Sequence, residues 1–109
     1  MLAQVTAGAR MHGSMQRTFQ LQAPGKDDAR VRDKIRQAVN NYVRRESRRT
    51  PPAGCRGWDF VCRVGPTAES AQPRPLKEVG GAIDAAALAG ATQVFVEIVA
   101  KAAVRPGSA

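Results

Sequence analysis

Hydrophobic residues between Asp27 and Arg49 recur at the spacing of one buried helical stripe. Positions three and four apart share a helix face, and the stripe consists of Val31, Ile35, Ala38, Val39, Tyr42 and Val43. Asp27 and Asp28 stand where negative charge favours the start of a helix. Pro51-Pro52 ends it at about Arg49. We therefore predict one amphipathic helix over residues 27–49.

Alternation between apolar and polar residues predicts two half-buried strands. Residues 17–22 place Phe19 and Leu21 on one face. Residues 58–64 place a second set on one face, namely Trp58, Phe60, Cys62 and Val64. Residues 92–100 are almost continuously apolar, which favours a central strand that is covered on both faces over part of its length.

The segment between the second and third predicted strands contains one further helix. Residues 77–89 are rich in alanine, and Gly90 is suited to cap the end of a helix. Residues 65–76 contain three prolines and are polar, so we predict a long loop without a strand.

These elements give the order β-α-β-α-β. We expect one domain over residues 16–104, with disordered ends at 1–15 and 105–109. The predicted fold is a two-layer α/β sandwich of the α+β kind, in which a three-stranded sheet carries both helices. Helix-length connections permit parallel pairing of the strands. Met15 stands just before the first periodic segment, and one hypothesis is that the native chain starts there.

The charge of the chain suggests a polyanionic partner. The 109 residues carry a net charge of +8 with 13 arginines and four lysines, and such a charge attracts nucleic acid. The alternative is a compositional bias that has no functional meaning. No apolar run approaches the roughly 20 residues that span a bilayer, so no membrane partner is expected. The two cysteines fit an intracellular thiol protein, and we expect a cytoplasmic location.

The end of the first helix is the candidate nucleic-acid-binding site. It carries Arg44, Arg45, Arg48 and Arg49. At about 100° per residue, Arg30 and Lys34 lie with Arg44 and Arg48 on the side away from the buried stripe. These side chains are expected to bind the phosphates of RNA or DNA, with Tyr42 or Trp58 stacking on bases if exposed. The alternative is a solvated helix end whose charge complements the helix dipole, with Glu46 pairing locally.

Asp59 and Arg63 form a second possible surface site on the polar face of their strand. Asp59 is free to face solvent or to pair with Arg63 or the basic helix end, but a lone carboxylate is weak evidence for catalysis. Cys62 lies on an apolar face, and Cys55 is the more accessible thiol. His12 is the single histidine. No catalytic residue, metal site or cofactor is therefore predicted, and enzymatic activity is the least favoured class.

Protein interaction is the alternative function. A strand at the edge of a small sheet exposes backbone groups that invite pairing, so the chain is a candidate for homodimerisation through a sheet edge without any role in nucleic-acid binding.

Five sequence blocks also carry a resemblance. They are RTFQL at 17–21, YVRRESRR at 42–49, WDFVC at 58–62, IDAA at 83–86 and VEIVAK at 96–101. In this order they resemble a family of small, uncharacterised bacterial proteins, a domain of unknown function, over about residues 16–101. The resemblance implies a bacterial cytoplasmic protein and carries no established activity, substrate or cofactor.

Overall fold

The protein folds as an α+β domain with two helices and a four-stranded sheet. The computed structural model describes residues 13–104; residues 1–12 and 105–109, where disorder was predicted, lie outside the described residues. The elements are β1 (Gly13–Gln20), α1 (Asp28–Ser47), β2 (Cys55–Gly65), β3 (Gln72–Arg74), α2 (Val79–Leu88) and β4 (Gln93–Val104). The first strand begins at Gly13, so residues 13–15 belong to the sheet and not to the predicted extension.

The sheet has the order β1-β4-β2-β3, and all hydrogen-bonded neighbours are antiparallel. The parallel pairing that the long connections permitted does not occur. Strands β1 and β2, which α1 connects, do run parallel, because β4 is antiparallel to both. Strand β4 lies between them, as β2 lies between β3 and β4. The connection from β1 through α1 to β2 therefore passes over β4, and the connection from β3 through α2 to β4 passes over β2.

The prediction of three strands is wrong because it missed β3. This strand has three exposed residues, Gln72, Pro73 and Arg74, and it pairs with residues 62–64 of β2. Three residues are too few to show an alternating pattern. Proline lacks a backbone N–H and is tolerated at a sheet edge, which is where β3 lies.

Both helices cover one face of the sheet. Residues of α1 and α2 share a core with alternate residues of β4, namely Val94, Val96 and Ile98, each of which is fully buried. Strand β4 is central, as its apolar sequence predicted. Ile35, Val39 and Tyr42 of the predicted stripe are buried, as is Glu46, while Val31, Ala38 and Val43 of the stripe are half-buried.

A loop covers part of the opposite face. Arg63 donates a hydrogen bond to the carbonyl oxygen of Ala68 at 2.7 Å. A Cβ on Gly65 would lie 2.7 Å from the Cα of Ala71, so the loop lies in direct contact with β2. Phe95 pairs with Gly65 and is buried although it points away from the helices. The remainder of this face carries polar residues and one apolar cross-strand pair, Val61 and Val99, of which Val61 is exposed.

Candidate nucleic-acid interface

The cations of α1 and its C-terminal end fall into two sets, and the first set is unpaired. We call these five residues the outward cations: Arg30, Lys34, Arg44, Arg45 and Arg48. All five are exposed, and none forms an ion pair with any residue between 13 and 104. The first and last are 18 residues apart, or about 27 Å along the helix axis at 1.5 Å per residue.

The second set is paired, and Asp84 of α2 is the main partner. Arg32 Nε lies 3.1 Å from one carboxylate oxygen of Asp84, and Arg36 binds the other oxygen. Arg36 also contacts Asp33 at 3.2 Å. This cluster fastens α1 to α2. Sequence reasoning did not find it because the partners are about 50 positions apart, although Asp84 is the single charge within α2.

Arg49 was predicted to bind nucleic acid, but the structure places it against the protein. Its guanidinium lies 2.6 Å from Glu46, which is only 8% exposed, and 5.4 Å from the ring centre of Trp58. Its carbonyl oxygen accepts a 2.9 Å hydrogen bond from the indole N–H of Trp58. Arg49 therefore attaches the end of α1 to β2, and the pairing of Glu46 expected in the alternative interpretation is made here.

The two aromatic residues proposed as stacking platforms are both at least half-buried. Tyr42 is 6% exposed and lies beneath Arg45, whose guanidinium carbon is 5.6 Å from the centre of the Tyr42 ring. The Trp58 ring is half-buried and already carries Arg49. Neither ring is therefore a freely exposed stacking surface.

Burial also affects the chemistry of Tyr42. Its pKa is raised, mainly because burial disfavours the phenolate and further because Glu46 is near, while Arg45 and Arg49 act in the opposite sense. The Tyr42 hydroxyl has no hydrogen-bond partner within the described part of the chain.

Asp59 and Arg63 lie on the same face of β2 but do not pair with each other. Both lie on the helix-free face of β2, where Arg63 pairs with Glu97 at 2.9 Å. Asp59 is exposed, and its nearest cation is Arg56 at 3.9 Å. Asp59 therefore pairs neither with Arg63 nor with the basic end of α1. Arg63 stabilises the fold, because it donates hydrogen bonds to Glu97 of β4 and to the carbonyl oxygen of Ala68 in the loop.

The two cysteines are free. Cys62 is buried on the helix side of β2, and burial raises the pKa of its thiol, which favours the unreactive protonated form. Cys55 is half-buried at the start of β2. Within residues 13–104 there is no group of three or more side chains placed to hold a metal ion, and no helix there is long and apolar enough to cross a membrane.

Arg17 is a candidate binding residue that sequence reasoning missed. It lies on the helix side of β1, where its register partner is Val96, and its guanidinium stacks on Phe19 at 4.6 Å. Alternation with Phe19 and Leu21 already placed it on the apolar face. An arginine on an apolar strand face has to extend to the edge of the sheet to reach solvent. Its position in the alternating pattern could therefore have indicated a cation beside α1.

Comparison with known proteins identifies a family. The model of the Family of unknown function (DUF6172) matches residues 15–109, and the chain belongs to this family. No curated protein matches the chain. No solved structure matches it.

Proposed function

We propose that the protein is a basic module that binds nucleic acid, alone or within a ribonucleoprotein, through the outward cations of α1. The observation that carries the proposal is that the cations of this helix divide into a paired set and an unpaired, exposed set. Three arginines are held by carboxylates or by Trp58, whereas five cations point to solvent without a carboxylate partner among the described residues. Unpaired cations on one rigid element can approach a regularly charged polymer without first breaking an internal ion pair.

The contacts should be made to the phosphate backbone. Tyr42 is buried and Trp58 half-buried near the site, and arginine and lysine alone can neutralise phosphates without reading base edges. A helix segment of about 27 Å is close to one turn of a B-form duplex, about 34 Å. We therefore propose binding that depends strongly on salt and weakly on sequence.

The test replaces three outward cations together, in the variant Lys34→Gln/Arg44→Gln/Arg48→Gln. Each phosphate contact contributes a slope of about 0.7 to the dependence of log K on log salt for a single strand. Loss of three contacts should therefore weaken binding of single-stranded RNA about 100-fold at 0.1 M salt. The slope should fall by about 2. Fluorescence anisotropy at two salt concentrations measures both quantities, and duplex DNA serves as the second probe.

The chain offers a matched control. Arg74, Lys77 and Lys101 are exposed cations outside α1 that make no ion pair with another described residue. Changing them to Gln lowers the net charge from +8 to +5, as the test variant does. Equal weakening by the two variants would mean that total charge and not the α1 surface governs binding. If the unmodified protein binds neither probe, the proposal is wrong.

A second candidate function is self-association through β1, which one observation favours. The two edges of the sheet differ: β3 is three residues long and contains Pro73, whereas β1 is eight residues long and contains no proline. Short strands and prolines protect edges from pairing. Strand β1 lacks both features, so a second copy would pair there.

Light scattering over a range of protein concentrations tests this candidate. A lysine placed at an edge opposes strand addition, so Thr18→Lys in β1 should lower the mass of any dimer. Gln72→Lys in β3 is the matched control and should not. A constant monomeric mass for the unmodified protein would remove this candidate.

The proposed setting is the cytoplasm of a bacterium, as the resemblance implied. A nucleic-acid-binding module has its targets in this compartment, and the two free thiols are compatible with its reducing conditions. Fractionation of the native host, followed by immunodetection, tests the location.

A further inference from the structure

A small cleft opens between β1 and α1, next to the outward cations. Its volume is about 310 Å³, and its lining consists of Ser14, Met15, Arg17, Ala38, Asn41, Tyr42 and Arg45. Arg17 comes from the sheet and Arg45 from the helix. No carboxylate lines the cleft, and Glu46, the neighbouring acid on the helix, is already bound to Arg49.

Both arginines are held in place by aromatic rings. Arg17 stacks on Phe19 at 4.6 Å and Arg45 on Tyr42 at 5.6 Å, while neither contacts a carboxylate of the described chain. Stacking uses the face of the guanidinium plane and leaves its N–H donors at the edge free. Two guanidiniums fixed in this way lose less entropy on binding than two freely rotating side chains.

The cleft also offers a neutral hydrogen-bond donor that suits an anionic ligand. Asn41 can donate from its side-chain amide, and it lines the cleft with the arginines. Phosphate oxygens accept several hydrogen bonds at once and are bound well by the edge of a guanidinium. The cleft is concave, so it can surround a single tetrahedral group.

We propose that this cleft is a binding site for one phosphate group, held by Arg17 and Arg45. The proposal rests on the proposed function only for the source of that phosphate, which would be an internal phosphodiester or the terminal phosphate of a nucleic acid. Arg17 then extends the interface from α1 to the edge of the sheet.

The first experiment titrates the ¹⁵N-labelled full chain with inorganic phosphate and follows arginine Nε and asparagine side-chain signals by NMR. Signals of Arg17, Arg45 and Asn41 should shift together with a dissociation constant of about 1 mM, as expected for a few solvent-exposed charge-assisted hydrogen bonds. Arg17→Gln should weaken binding about tenfold, because one charged donor pair is lost. Arg74→Gln removes an exposed arginine from the opposite edge of the sheet and should leave binding within about twofold.

The second experiment identifies the source by comparing one RNA sequence with and without a 5′-phosphate. If the cleft takes a terminal phosphate, the 5′-phosphate strengthens binding to the unmodified protein and not to Arg17→Gln. If it takes a phosphodiester, Arg17→Gln weakens binding of both RNAs equally. Either result supports the site.

Two results would overturn the site. One is the absence of shifts at Arg17 and Arg45, and the other is equal behaviour of Arg17→Gln and Arg74→Gln. RNA binding that depends on Arg44 and Arg48 but not on Arg17 would leave the proposed function intact and reject the cleft. Phosphate binding in the cleft without any RNA binding would support the cleft and reject the proposed function. A dispersed amide spectrum verifies that each variant is folded.

Discussion

The arginines of α1 that face the protein and those that face solvent have the same chemistry but different surroundings. On the side that faces the protein, Arg32 and Arg36 share Asp84, and Arg36 also pairs with Asp33. Arg49 pairs with Glu46. The outward cations meet no carboxylate within residues 13–104. The side of the helix that packs against α2 and β2 therefore carries arginines that stabilise the fold. The other side carries cations that remain available to a partner, and the sharpest tests separate these two tasks.

The largest effect on stability is expected from Asp84→Ala. Arg32 and Arg36 are about two-thirds buried and would lose their shared carboxylate. Removal of one partner costs about 3–5 kcal/mol for a buried pair and about 0–1 kcal/mol for an exposed one. For this intermediate case we expect the free energy of unfolding to fall by about 2 kcal/mol, measured by urea denaturation.

Asp59→Ala is the control for this prediction. It removes an exposed carboxylate whose nearest cation, Arg56, is 3.9 Å away, so the expected loss is below about 0.5 kcal/mol. Equal losses from both variants would show that the Asp84 cluster is no more than a surface contact.

Glu46→Gln should produce the next largest effect. Glu46 is almost fully buried, and its ion pair with Arg49 holds the helix end against Trp58. The amide keeps the shape of the side chain but loses its charge, so we expect a loss of about 1 kcal/mol. Trp58 is the single tryptophan, and its fluorescence reports whether the helix end has moved.

Glu69→Gln, an exposed change in the loop before β3, is the matched control. The decisive measurement is the double variant Glu46→Gln/Arg49→Gln. If the two single effects simply add, the two side chains do not interact, and Arg49 belongs with the outward cations.

The buried side of α1 could be predicted from sequence because periodicity reports burial directly. Ile35, Val39 and Tyr42 are buried as predicted, and the apolar run at 92–100 forms the central strand. The order of the strands could not be predicted. It depends on β4 inserting between β1 and β2, and no local pattern encodes that insertion. Strand β3 was missed because its three residues are all exposed.

The charged residues show a similar limit. Helical geometry placed Arg30, Lys34, Arg44 and Arg48 on the outer side, and they are exposed there. The same geometry could not show that Arg49, one position further along, would reach Trp58 on β2. Whether an arginine binds its own protein depends on long-range packing, which the spacing of residues within one helix does not contain.

Tyr42 lies where the two sets of cations meet, beneath Arg45 and beside Glu46. Its buried hydroxyl lacks a hydrogen-bond partner among the described residues, and such a group costs about 1–3 kcal/mol. Tyr42→Phe removes the hydroxyl and keeps the ring under Arg45. We expect the free energy of unfolding at pH 7 to rise by about 1 kcal/mol, the low end of this range. A loss of stability would mean that the hydroxyl has a partner.

The pH dependence of the same side chain gives an independent measurement. The folded pKa is raised, so between about pH 10 and the folded pKa the unfolded chain is ionised while the folded chain stays neutral. Stability should therefore be unaffected below this window and fall as the pH rises through it. Burial of Cys62 acts in the same direction from a slightly lower pH. Tyr42→Phe should remove only the tyrosine contribution. Because Tyr42 is the single tyrosine, absorbance titration measures its pKa directly.

The smallest effect is expected from Arg44→Gln/Arg48→Gln. Two contributions oppose each other at these positions. Positive charge near the C-terminus of a helix stabilises it by about 0.3–1 kcal/mol, whereas like charges four residues apart destabilise it by about 0.2–0.5 kcal/mol. The free energy of unfolding should therefore change by less than about 0.5 kcal/mol, while binding of RNA weakens. A stability loss as large as that of Asp84→Ala would place these two arginines among those that hold the fold together. The separation between structural and available cations on α1 would then be wrong.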